Sequence, residues 1–101
     1  MALTAFNTNG QLPNTKQTLY TATAGAVINS ISLVNTDASA RTMNLYVKTA
    51  TSRRIIPKDL SLIAGAAYLE TAFIVLNVGD LIEGDASAAT VVDYVISGGH
   101  Y

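Results

Sequence analysis

From Thr18 onward, apolar and polar residues alternate with period two, the mark of strands that bury one face. Residues 18–23 ("TLYTAT") predict a strand ending at Ala24-Gly25. Residues 26–35 ("AVINSISLVN") carry the clearest pattern, with Ile31 and Leu33 facing in and Ser30 and Ser32 facing out. Residues 35–40 ("NTDASA") are rich in side chains that bond their own backbone in turns. Residues 41–49 alternate again, with Met43, Leu45 and Val47 inward and Thr42, Asn44, Tyr46 and Lys48 outward. The two runs predict an antiparallel hairpin.

Further along, 50–54 reads as a loop. Residues 55–65 read as an interrupted strand, because Pro57 has no N–H to give a ladder. The run 66–76 fits either a short helix, from its Ala, Leu and Glu, or a strand, from Phe73, Ile74 and Val75. Gly79-Asp80 predicts a turn, since glycine takes positive φ and aspartate bonds nearby backbone. The strand after it places Ile82, Gly84 and Ala86 inward, and a final strand over 90–98 places Val92, Tyr94 and Ile96 on one face. Gly98 and Gly99 are expected to loosen the exit.

About seven or eight short strands with turn signals roughly every eight to twelve residues predict an all-β chain, an antiparallel β-sandwich of jelly-roll or Ig-like type. No strong helical stretch offers the crossovers of a parallel α/β fold. Residues 1–15 are polar and read as an extended N-terminal arm, with 16–101 as the sandwich domain. Phe6 and Leu12 are the arm's candidate anchors, on its own domain or on a neighbour; a frayed terminus is the alternative.

Composition sharpens this picture. Of 101 residues, 50% are hydrophobic and only 13% charged, about half the usual charged share. So little charge on a small domain predicts association, a homo-oligomer (dimer or trimer) or a larger assembly, in preference to a monomer with a Thr/Ser/Asn surface. The net charge of −1 gives no general attraction to nucleic acid or anionic membrane. Most basic residues (Arg41, Lys48, Arg53, Arg54, Lys58) precede most acidic ones (Glu70, Asp80, Glu83, Asp85, Asp93), so copies could meet basic side to acidic side unless folding intersperses the charges. The absence of cysteine excludes disulfides, thiolate metal sites and cysteine nucleophiles. No basic n-region precedes a long apolar run, so no signal peptide is expected, and no apolar run approaches the ~20 residues of a membrane span.

Candidate chemistry is sparse. Asp80, Glu83 and Asp85 cluster in "VGDLIEGDAS" (78–87). A calcium loop started at Asp80 would place Ile82, Gly84 and Val91 at ligand positions, so that pattern fails. On a strand Glu83 and Asp85 share an outward face, which reads as a solvated face or a contact surface, with a structural metal or a paired-carboxylate hydrolase as lesser readings. His100 is the single histidine and fits no triad; copies gathered by symmetry could form a site. Arg53-Arg54 with Lys58 is the one basic cluster, better suited to an interface than to nucleic acid. No catalytic residue, cofactor or metal is expected. The candidate interface residues are Phe6, Leu12, Arg53, Arg54, Glu83 and Asp85.

The run 18–47 resembles the opening of small β-sandwich accessory proteins of tailed-bacteriophage virions. The shared features are Tyr20-Thr21, Ala24-Gly25, the strand Ile28 to Val34, Asn35-Thr36 and the strand Met43 to Val47. "VLNVGDLIEGDAS" (75–87) and "VDYVISG" (92–98) continue the likeness, which spans most of 18–99. Thr23 stands where that group usually has proline, and 1–15 has no clear counterpart. The resemblance implies a structural virion part without catalytic residues. Its foremost form is a capsid decoration or cement protein that binds the major capsid protein or other virion proteins, made in the host cytoplasm and located in the virion. A tail, neck or fibre-associated protein is the alternative, and a carbohydrate- or peptide-binding β-module stands outside it.

Overall fold

The computed structural model describes residues 3–71 and 73–101. These form ten strands: β1 (Thr4–Gln11), β2 (Gln17–Thr21), β3 (Ala26–Asn35), β4 (Arg41–Lys48), β5 (Ser52–Arg54), β6 (Leu60–Leu62), β7 (Ala67–Glu70), β8 (Ile74–Leu76), β9 (Leu81–Ala86) and β10 (Val92–His100). The alternation in the sequence becomes the two faces of each strand. On β9, Ile82, Gly84 and Ala86 are buried while Glu83 and Asp85 face outward. On β10, Val92, Tyr94 and Ile96 are buried. The ambiguous run 66–76 is strand in its described part, as β7 and β8, with residue 72 outside the described residues.

Two antiparallel sheets result. The first has the order β1-β10-β3-β7, with β8 also on β3. The second has the order β2-β9-β4-β5, with β6 also on β4. β7 and β8 lie end to end along one edge of β3, opposite Ile31–Val34 and Ala26–Ile28. β5 and β6 do the same along β4. Counting each such pair as one interrupted strand leaves eight strand positions, in the orders 1-8-3-6 and 2-7-4-5. That is the double Greek-key order of a jelly roll, which decides between the two expected sandwich types. Residues 4–11 of the expected arm are the first of these positions, paired along their length with β10.

The predicted hairpin of 26–35 with 41–49 does not form, because β3 and β4 lie in different sheets. In a hairpin Ile31 and Leu33 would sit beside Met43 and Leu45 on one sheet face. Here the two rows belong to opposite layers of one core cluster, where all four are essentially inaccessible. Either arrangement buries the same alternating residues, so periodicity alone could not choose. The expected loosening at Gly98-Gly99 is also replaced by order: β10 runs on to His100 with a register shift between Ser97 and Gly98. A methyl group on Gly98 would collide with the Val27 carbonyl, so glycine is required where the bulged strand crosses β3.

A polar clasp joins the layers. Asn35, at the end of β3, is fully buried. Its Nδ2 donates to the carbonyls of Ser39 (2.9 Å), Leu62 (3.0 Å) and Ile63 (3.3 Å), and its Oδ1 accepts from the Asp37 N–H at 3.0 Å. The backbone N–H of Asn35 donates to Ala66 O, and its carbonyl accepts from Gly65 N–H. One carboxamide thus fixes the turn that leaves β3 and the segment after β6, which belongs to the other sheet. Buried carbonyls without donors would each be costly.

Asn35→Asp keeps the shape but sets a carboxylate oxygen against three carbonyls. Urea unfolding is expected to show a loss on the order of 3 kcal/mol. A loss below ~1 kcal/mol, within the range of an ordinary surface change, would contradict the clasp.

Candidate assembly surfaces

The two outer faces of the sandwich are chemically unlike. On the second sheet, register aligns Thr18 of β2, Glu83 of β9, Tyr46 of β4 and Arg54 of β5 in one row. Asp85 and Asn44 form the row beside it. The Lys16 ammonium lies 4.0 Å from the Tyr46 ring centroid, and the Arg54 guanidinium 5.0 Å, so two cations share one aromatic ring. Glu83 Oε1 accepts from Ser52 Oγ at 2.9 Å and lies 3.8 Å from Lys16 Nζ.

Asn44 holds the acidic side of this face together. It is buried although it points outward, because polar neighbours cover it. Its Nδ2 donates to Asp85 Oδ1 at 2.9 Å and to Asp59 Oδ1 at 3.1 Å. Its Oδ1 accepts from Arg54 Nη1 at 2.5 Å and from the Asp59 N–H at 2.9 Å. Glu83, Asp85 and Arg54 are therefore brought together within one chain, linked through Asn44, Ser52, Tyr46 and Lys16. Arg53 pairs in register with Val47 and Arg54 with Tyr46, so the two arginines point to opposite sides of β5. Among the described residues no group of three or more His, Cys, Asp or Glu is placed to hold a metal ion.

The outer face of the first sheet carries almost no charge. One row runs Ala5, Gly99, Val27, Val75 across β1, β10, β3 and β8. Another runs Asn9, Val95, Ser32, Leu69 across β1, β10, β3 and β7. Asn9 Nδ2 donates to Asn7 Oδ1, Asn7 Nδ2 to Ser97 Oγ, and Gln11 Nε2 to Asp93 Oδ1. A shallow hollow of about 310 Å³ lies where β1 meets β10, around Gly10, Gln11 and Asp93. Leu69, Phe73, Val75 and Val78 stand between 54% and 71% exposed at the β7–β8 side.

The two remaining candidate contact residues fasten β1. Leu12 is fully buried, so its side chain serves this chain's own core. Phe6 stacks on Tyr20 (centroids 4.8 Å, planes at 7°) and on His100 (4.5 Å, 28°), which ties β1 to β2 and to the end of β10. His100 Nδ1 and Tyr20 Oη are buried without a hydrogen-bond partner among the described residues. Burial raises the Tyr20 and Tyr94 hydroxyls above the ordinary tyrosine range. Burial does the same to Tyr68, helped by Glu70, whose Oε2 accepts from the Tyr68 hydroxyl. Sequence reasoning missed Lys16, Asn44, Ser52, Tyr46 and Asp59 as members of the charged face. Alternation marked Asn44 and Tyr46 as outward, but which strand flanks β4 is a long-range fact.

No protein-family model matches the chain, and no curated protein matches it. A chain from the solved structure of infectious bursal disease virus Gx strain is similar, with a TM-score of 0.50 and 13% identity over 95% of this chain. The match covers 31% of that chain, so the present protein spans about a third of its length. At that identity the likeness shows the fold, a β-sandwich over nearly all of the sequence.

Asn44→Ala is expected to cost about 1–3 kcal/mol in chemical unfolding, because buried polar partners lose their link. Arg54→Ala, at the exposed rim, is expected to cost under ~1 kcal/mol; equal losses would argue against Asn44 as the organising residue. With the folded-state pKa values of Tyr20, Tyr68 and Tyr94 raised, stability should hold below the unfolded value of about 10 and fall as pH rises past it. An ultraviolet titration in which all five tyrosines ionise together at the ordinary value would contradict that.

Proposed function

We propose that the chain is a structural component of a virus particle, acting through protein–protein contact and not as an enzyme. The observation that carries the reading is the jelly-roll order of its two sheets, together with the match of 95% of the chain to a chain from a virus structure. Jelly rolls also serve lectins and enzymes, so the outer surface has to support the choice. The molecule extends 44 by 25 Å along its two longer axes, a span that can accommodate the roughly 800 Å² per partner of a standard interface. On the charged face, each acidic side chain described above is already bonded to a neighbour in the same chain. Side chains held by one another in this way suit a preformed contact surface.

The finer reading is a decoration or cement protein of a tailed-bacteriophage capsid. The resemblance over 18–99 favours it, and so does the nearly uncharged outer face of the first sheet, which can lie flat across subunit boundaries without desolvating ions. Its partners would be the major capsid protein or other virion proteins, with affinity multiplied over a repeated lattice. A tail, neck or fibre-associated place is the second reading.

Quantitative mass spectrometry of purified particles tests both. Decoration predicts on the order of hundreds of copies, as lattice avidity requires. About a dozen copies would move the protein to the neck or tail. Absence from particles, with a monomer stabilised by a sugar or peptide, would overturn the virion reading in favour of a binding module.

A further inference from the structure

The four sheet edges differ in how they are guarded against pairing with another chain. The β2 edge is five residues long, follows Lys16 and has a register shift between Thr18 and Tyr20. The β5/β6 edge consists of two three-residue strands with Arg53, Arg54, Pro57 and Lys58 on or between them. The β7/β8 edge is likewise split, into four and three residues. Short length, bulges, charge and proline are the usual protections of an edge.

β1 has none of them. It is eight residues long, contains no charged residue and no proline, and keeps unbroken register with β10. Its phase follows from one bond: Leu12 N–H donates to Val92 O. Alternation then turns the backbone groups of Gly10, Thr8, Phe6 and Thr4 toward β10. The N–H and C=O groups of Ala5, Asn7, Asn9 and Gln11 face the open edge, a row of four donors and four acceptors.

We infer that this edge pairs antiparallel with β1 of a second copy across a two-fold axis. Centred on Thr8, that pairing sets Ala5 opposite the partner's Gln11 and Asn7 opposite the partner's Asn9. Every open group on both strands then gains a partner. The odd positions stay on one face, so the two first sheets become one continuous sheet whose nearly uncharged outer faces are joined. A second copy fits because the row is self-complementary: it brings no like charges into opposition, and its outward side chains, Ala5, Asn7, Asn9 and Gln11, are uncharged, with Asn7 and Asn9 set carboxamide to carboxamide. The inference deepens the assembly reading and rests on it in taking the chain to act in several copies.

Size-exclusion chromatography with light scattering on the full chain, over a concentration series, is the test. The wild type is expected to be a dimer that dissociates on dilution. Asn7→Pro removes one open-edge N–H per copy and none that β10 uses, a place where an edge strand tolerates proline. It is expected to weaken dimerisation at least about tenfold. Asn7→Lys/Asn9→Lys keeps every backbone donor and places like charges opposite each other; it is expected to give a monomer whose dimerisation recovers with salt. Leu69→Lys, on the far side of the sheet, is expected to leave the dimer intact. Urea unfolding of each variant confirms that it folds. A wild type that is monomeric throughout, or a dimer that survives both β1 changes, overturns the inference. Particle copy number reads the other proposal separately: abundant in particles yet monomeric in solution sinks the dimer alone, and a β1-dependent dimer absent from particles sinks the virion role alone.

Discussion

The first sheet is held together by β10. It lies between β3 and β1 and pairs with both over most of its length. Two features let it do so. Gly98 allows the bulged backbone to pass the Val27 carbonyl, and the stack of Phe6 on Tyr20 and His100 pins the far end of β1 against it. Without β10, β1 would have no backbone partner and Phe6 no histidine to stack on. Phe6 of β1 and His100 of β10 therefore fasten the edge strand to its neighbour in the first sheet.

That arrangement gives the two layers different characters. The second sheet concentrates its ions on its outer face and bonds them to one another, with Asn44 linking Asp59, Asp85 and Arg54. A partner meeting this face would find charges already oriented but largely compensated, which favours specificity over strong attraction. The first sheet offers amides, hydroxyls and small apolar groups, and its β1 edge leaves backbone groups open. Weakly charged surfaces with exposed apolar groups and open strand edges are what soluble monomers usually avoid. Their presence together on one layer suggests where an assembly contact would form.

Much of this was legible in the sequence, because burial writes itself as period two. Ile31 and Leu33, Met43 and Leu45, Ile82 and Ala86, and Val92 and Ile96 were assigned their faces correctly from alternation. What alternation cannot encode is which strand lies beside which. The expected β3–β4 hairpin failed for that reason, and the charged cluster around Asn44 was invisible because β4 and β9 are neighbours only in the fold. The strand nature of residues 4–11 was masked by composition: Ala5, Asn7, Asn9 and Gly10 are poor strand formers, and pairing with β10 overrides them. Glu83 and Asp85 looked like possible chemistry because nothing in sequence shows the Lys16, Ser52 and Asn44 side chains that bond to them.

In the proposed dimer, β10 secures one edge of β1 and a second copy pairs with the other. Residue-resolved amide hydrogen exchange along β1 addresses it most directly. Pairing with β10 alone protects Phe6, Thr8 and Gly10 and leaves Ala5, Asn7, Asn9 and Gln11 to exchange. At high protein concentration these four amides are expected to become protected as well, and dilution is expected to restore the alternating pattern. Alternating protection at every concentration would contradict that expectation, and so would the loss of protection from the whole strand.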